Sequence, residues 1–188
     1  MKKFIFPLLF LIGCMPFKPV QGLITSKSEF DGSVQISTQP SWVCKDQGRY
    51  CAILFELYKT SKMEQGKAVL RVYASTIVQS RALPPKISID GEVIELHPID
   101  AVADIVPSVY AAGFMALAYG GPWSIMRYDI DMAMIKRLVS ANRVVVQVTD
   151  GSISVEGVFT EASPSKHDEW YARSAFKEFY NKVTSVEL

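Results

Sequence analysis

The chain has 188 residues, 49% of them apolar and 21% charged, with 20 basic against 19 acidic side chains. That length suits one domain able to bury on the order of 70% of its unfolded surface. A near-neutral chain with no Lys/Arg cluster offers no electrostatic footprint for nucleic acid and no polybasic face for anionic lipid, and its even composition, free of repeats and low-complexity tracts, excludes a fibrous or disordered chain.

The N-terminus runs Met1-Lys2-Lys3, then the apolar stretch Phe4-Ile5-Phe6-Pro7-Leu8-Leu9-Phe10-Leu11-Ile12, then Gly13-Cys14. A short basic head followed by an apolar segment and a small residue is the grammar of an export signal. The stretch falls short of the roughly 20 apolar residues that span a bilayer. Its end, Leu11-Ile12-Gly13-Cys14, resembles the lipobox of bacterial lipoproteins. In that family the signal is cut before the cysteine, whose thiol and amine are then acylated. The resemblance implies a signal peptide over residues 1–13, lipidation at Cys14 and attachment to the membrane through that lipid. Met15 is not the aspartate associated with inner-membrane retention, which implies outer-membrane sorting in a Gram-negative cell. The resemblance covers the leader alone. A second cleavage site competes: Val20-Gln21-Gly22 is a small-x-small triplet, and cutting after it would release a soluble periplasmic or secreted protein starting at Leu23. Lys18 and the prolines Pro16 and Pro19 stand against it. Both readings carry the body out of the cytoplasm. Without Lys2 and Lys3, 18 basic residues face 19 acidic ones, a net charge of −1.

Residues 14–32 mix Pro, Lys, Gly, Ser and Asp without periodicity and read as a tether or flexible arm, leaving 33–188 as the domain. Val34-Gln35-Ile36 alternates like a short strand. From Ser41 to Tyr58 a hairpin is expected around Gln47-Gly48, with cross-strand partners summing to 95. That register sets Cys44 opposite Cys51 and Trp42 opposite Ile53. It places Trp42, Cys44, Cys51, Ile53, Phe55 and Leu57 on one face. Opposed strand residues lie within the Cα range of a disulfide, so Cys44–Cys51 is expected as a structural disulfide, closing a loop for about 2.5 kcal/mol. The spacing is not the Cys-x-x-Cys of a redox pair, and no neighbouring His or Cys completes a metal site. With Cys14 acylated or excised, an even pair of thiols remains, as an oxidising compartment permits.

Ala68 to Val78 is rich in β-formers and reads as a strand that ends before Pro84-Pro85. Lys86 to Leu96 carries Asp90-Gly91 between alternating segments, a strong hairpin signal that pairs Ile87 with Ile94 and Ile89 with Glu92. Residues 105–119 are almost wholly apolar. They suit a buried strand or helix, or an apolar surface for a partner, a membrane or a small ligand whose candidate contacts are Tyr110, Phe114, Met115 and Tyr119. Trp123 to Tyr128 alternates as a strand. Asp129 is expected to cap a helix over 130–141, with Asp131 in its first turn, Ile130, Met134, Ile135, Leu138 and Val139 on one side, and Asn142 closing it. Arg143 to Phe159 reads as a hairpin around Asp150-Gly151 with partners summing to 301, so that Val148 faces Ile153 and Val146 faces Val155. Ser163-Pro164 starts a last helix whose stripe of Trp170, Tyr171, Ala175, Phe176, Phe179 and Val183 faces a core.

The element order predicts one α+β domain, an antiparallel sheet with the two C-terminal helices packed on one face. No nucleotide-loop, zinc or nucleophile-elbow motif occurs, and no cofactor or metal is implied. The two histidines, His97 and His167, are the residues on which a hydrolase reading would rest. The reading that fits the leader is a non-enzymatic envelope lipoprotein that binds or assembles with another envelope component. The alternatives are a soluble ligand binder and the hydrolase. Feeding cells labelled palmitate checks the leader: the label and a membrane-fraction mass consistent with cleavage before Cys14 are expected. An unlabelled chain starting at Leu23 would contradict it.

Overall fold

The computed structural model describes residues 23–43, 53–75, 84–100, 103–106, 122–150, 153–159 and 172–185. Twelve strands and two helices form among these residues. The large sheet follows the order β1 (Ile24–Lys27), β2 (Val34–Ser37), β4 (Ile53–Thr60), β5 (Lys67–Ser75), β10 (Trp123–Asp131) and β8 (His97–Pro98). The short strand β3 (Ser41–Val43) also pairs with β4, and β9 (Asp104–Val106) with β10. A second sheet follows the order β12 (Ile153–Val158), β11 (Val144–Asp150), β6 (Lys86–Ile89) and β7 (Glu92–Glu95). All the pairings are antiparallel. The expected class, antiparallel sheet with two helices, is therefore present, but the strands divide between two sheets where one was expected.

Side-chain alternation decides which face of the large sheet turns inward. Ile53, Phe55 and Leu57 of β4, Ala68, Leu70, Val72 and Ala74 of β5, and Met126, Tyr128 and Ile130 of β10 all enter the core. They are cross-strand neighbours, as in the rows Phe55–Val72–Met126 and Leu57–Leu70–Tyr128. The second sheet contributes Ile87, Ile89, Val144, Val146 and Val148 to the same core. Helix α1 (Met132–Ser140) adds Ile135 and Leu138; helix α2 (Ala172–Ser185) adds Ala172, Phe176, Phe179 and Val183. Three rings join the layers: Phe55 from the large sheet, Phe159 just beyond β12, and Phe176 from α2. Their centroids lie 5.2–6.3 Å apart, within the range of favourable aromatic pairing.

Local chemistry explains the element ends. Asp90 and Gly91 both take positive φ, +49° and +93°, as a two-residue turn with right-handed strands requires. The pairs Ile87–Ile94 and Ile89–Glu92 form as expected. Asp90 also accepts the backbone N–H groups of Asn142 and Arg143, tying this turn to the chain after α1. The cap of α1 is Asp131, whose carboxylate accepts from Met134 N at 2.6 Å. This corrects the expected cap at Asp129: β10 continues through Asp131, because the whole strand pairs with β5. The α1 C-terminus is met by the Arg173 guanidinium of α2, which donates to the carbonyls of Val139 and Ala141 and suits the negative end of the helix dipole.

Two registers differ from expectation. Partners in β11–β12 sum to 303, with Val148 opposite Val155 and Asp150 opposite Ile153. The slip is two residues, so every side chain keeps its face. The β3–β4 pair sums to 96, with Trp42 opposite Leu54 and Val43 opposite Ile53. A one-residue slip exchanges faces. Val43 therefore joins Ile53 in the core, and Trp42 turns to the other side. Cys44 and Cys51 lie outside the described residues, as does Cys14. Part of the stretch expected as an arm is the exposed strand β1, and Leu23 just ahead of it packs against the core.

The sheets meet tightly where Gly157 of β12 crosses Val43. A Cβ on Gly157 would lie 2.6 Å from the Val43 carbonyl oxygen and 2.8 Å from its Cγ1. Gly157→Ala is expected to cost about 1–3 kcal/mol by overpacking, read as a lower urea midpoint. An unchanged midpoint would show that the sheets stand farther apart.

Candidate functional site

The outer face of the large sheet, turned away from the core, carries a gradient from apolar to charged. At one end Trp42, Leu54, Tyr73 and Trp123 are buried. One row further along β4, β5 and β10 come Glu56, Arg71 and Arg127, in direct cross-strand register. Asp100, one residue past the pairing of Ile99 with Arg127, closes that row beyond β10: its carboxylate accepts from Arg127 N at 3.2 Å and from the Arg127 guanidinium. The charges therefore read acid, base, base, acid across the sheet.

Each arginine is held by its outer carboxylate. Arg71 Nη1 donates to Glu56 Oε1 at 2.9 Å, and its guanidinium sits 4.3 Å above the Tyr58 ring. Glu56 is almost fully buried, and its other oxygen accepts from the Tyr73 hydroxyl. Burial, and then the Glu56 carboxylate, push the Tyr73 phenol well above its ordinary value. Tyr73 thus stays protonated and donating. Arg127 grips Asp100 with two parallel bonds, Nε to Oδ2 at 2.7 Å and Nη2 to Oδ1 at 2.5 Å, the bidentate geometry that adds orientation to charge. The neighbouring guanidinium holds the Asp100 carboxyl below its usual range.

Two like charges directly opposed on a sheet repel. Here both remain partly exposed, 31% for Arg71 and 42% for Arg127, while their partners Glu56 and Asp100 are more buried. The outcome is two fixed guanidinium groups side by side, stacked on or flanked by tyrosines, on a firm sheet. This arrangement can dock polar or anionic groups.

His97 of β8 is exposed and lies on this same face, directly opposite Asp129 of β10. The structure thus sets one of the two sequence-marked histidines beside a carboxylate at the rim of the polar row. His167 lies outside the described residues, as do Tyr110, Phe114, Met115 and Tyr119. Among the described residues no group of His, Cys, Asp or Glu is arranged to hold a metal ion, and no helix is long and apolar enough to cross a membrane. Sequence reasoning missed Glu56, Arg71, Tyr73, Asp100 and Arg127. A signal was present: Glu56, Arg71 and Arg127 are single charges inside otherwise β-forming runs, and pairing β4 with β5 across their short connection brings the first two together. Comparison with family models, with curated proteins and with solved structures finds no match.

The depressed carboxyl of Asp100 sets a direction for pH dependence. A folded pKa below the unfolded value of 3.8 stabilises above that value, and the stabilisation is lost as pH falls through the folded pKa. Asp100→Asn is expected to flatten the acid limb of a urea-midpoint titration between about pH 5 and 2. Identical limbs would contradict the pairing. Arg71→Met strands Glu56 beside Tyr73 alone and is expected to cost toward the low end of about 3–5 kcal/mol, since Arg71 is partly in water. Adding Glu56→Leu should recover much of the loss.

Proposed function

We propose that the chain is a non-enzymatic lipoprotein of the bacterial cell envelope, held to the membrane by acyl groups on Cys14, whose domain binds or assembles with another envelope component. The observation that carries this reading is the leader, with its lipobox-like Leu11-Ile12-Gly13-Cys14. The position of the fold is consistent with it. Leu23 already packs on the core and β1 starts at Ile24, so only residues 15–22 separate the acylated cysteine from the domain. At ~3.3–3.6 Å per residue that connection reaches about 30 Å at most, which keeps the domain near the bilayer. The outer face of the large sheet is the surface proposed for the partner. Its arginines and tyrosines are of the types enriched at protein interfaces, and the carboxylates beside them fix their geometry before binding. Outer-membrane sorting belongs to the same proposal, if the cell is Gram-negative.

The test is a photo-crosslinker placed at Asp129, exposed on the outer face, and at Glu178, exposed on α2, in growing cells. A discrete adduct from position 129 and not from 178, on a palmitate-labelled chain, is the expected result. Cys14→Ala should abolish both the label and the adduct. An adduct that survives loss of the label would support the soluble binder instead.

A further inference from the structure

The exposed large apolar side chains of the big sheet gather at its two opposite edges. Ile24 and Phe30 belong to the β1–β2 hairpin at one edge; Ile99 and Ile105 flank β10 at the other. Phe30 is fully exposed at the hairpin tip. The tip is a built turn. Ser28 N donates to Ser33 O at 2.8 Å, and Gly32 N to Ser28 O at 3.0 Å, with Gly32 at φ +68°. The Ser28 hydroxyl accepts from Phe30 N at 3.3 Å. Asp31 accepts from Ser33 N at 2.9 Å and is salt-bridged to Lys62 of the β4–β5 connection. Lys62, and then Ser33, hold its carboxyl far below the usual range. An aromatic ring is thereby carried, fully exposed, on a turn held in shape by these hydrogen bonds and the Asp31–Lys62 pair.

We propose that the β1 edge of the domain, led by Phe30, lies against the lipid bilayer and fixes the orientation of the anchored domain. This rests on the lipoprotein reading above. The argument for this edge over the other is the length of the connection. Residues 15–22 enter at β1, within about 30 Å of the anchor. The opposite edge lies five strand spacings away, roughly 24 Å at ~4.8 Å each. Seating that edge on the bilayer would stretch the connection close to its limit, whereas the β1 edge leaves it slack. A phenylalanine ring is among the apolar side chains that surface-bound elements bury at the headgroup–acyl boundary. Glu29 and Asp31, on either side of Phe30 at the tip, set the depth, since burying a carboxylate in hydrocarbon is costly. Phe30 therefore reaches the headgroup and upper acyl region. In this orientation the outer sheet face stands at a steep angle to the bilayer and stays open to a partner in the aqueous space.

The test uses the full, acylated chain in phosphatidylcholine vesicles whose lipids are brominated near the head of the acyl chain, against unbrominated vesicles. Phe30→Trp and Ile105→Trp each add one fluorophore at an exposed position, and the wild-type chain supplies the native tryptophan background. Bromine should quench the added emission of Phe30→Trp severalfold more than that of Ile105→Trp. An unquenched Phe30→Trp, or equal quenching at both edges, would overturn the orientation while leaving the anchor intact. A preparation without the acyl label would sink the lipoprotein reading itself.

Discussion

The fold depends on the meeting of Phe55, Phe159 and Phe176. Each comes from a different layer, and each is almost fully buried. Neither sheet can cover its inner face alone. The large sheet leaves β4, β5 and β10 with a continuous apolar surface, and the four-stranded second sheet leaves Ile87, Ile89, Val144, Val146 and Val148 on an apolar face of its own. Helix α2 closes the gap by setting Phe176 against both other rings, which also meet each other. The same closure explains why Gly157 has no side chain: β12 must approach Val43 until the backbone itself makes the contact.

A sheet whose inner face is fixed in this way has an outer face that is rigid by default, and that rigidity holds the polar row in one arrangement. The two arginines cannot drift apart, because they sit on paired strands, and cannot swing freely, because Glu56 and Asp100 hold them from outside. The desolvation of Glu56 is offset by Arg71 and Tyr73 together. Such a network is costly if half satisfied, so its completeness argues for a face whose geometry matters. Lys59 is a second buried charge, on the inner side. Its ammonium donates to the carbonyls of Glu64 and Lys67 at 2.9 and 2.8 Å and pins the β4–β5 connection.

Much of this architecture was legible in the sequence. The α+β class, the Asp90-Gly91 hairpin with its register, the strand from Trp123 and the core stripe of α2 through Phe176, Phe179 and Val183 all follow from period and turn chemistry. What escaped shows where those signals lose force. Hairpin β11–β12 could slip by two residues because the alternation that marks its strands is blind to an even shift. Strand β4 is buried on both faces, so its apolar run gave no parity from which to fix β3, and Trp42 was assigned to the wrong side. The division into two sheets was hidden because every local hairpin is compatible with either one sheet or two. The polar row was hidden for a related reason. Each of its charges looks like a solvated residue until three strands are brought into register.

The most direct test of the three-layer junction is a double-mutant cycle on Phe159→Leu and Phe176→Leu, followed by urea unfolding with near-UV and far-UV circular dichroism. If the rings bind the layers into one unit, the two probes will share a single transition and the substitutions will be coupled by about 0.5–1.5 kcal/mol. Additive losses, or a near-UV transition that separates from the far-UV one, would show that the sheets and α2 fold independently of this contact.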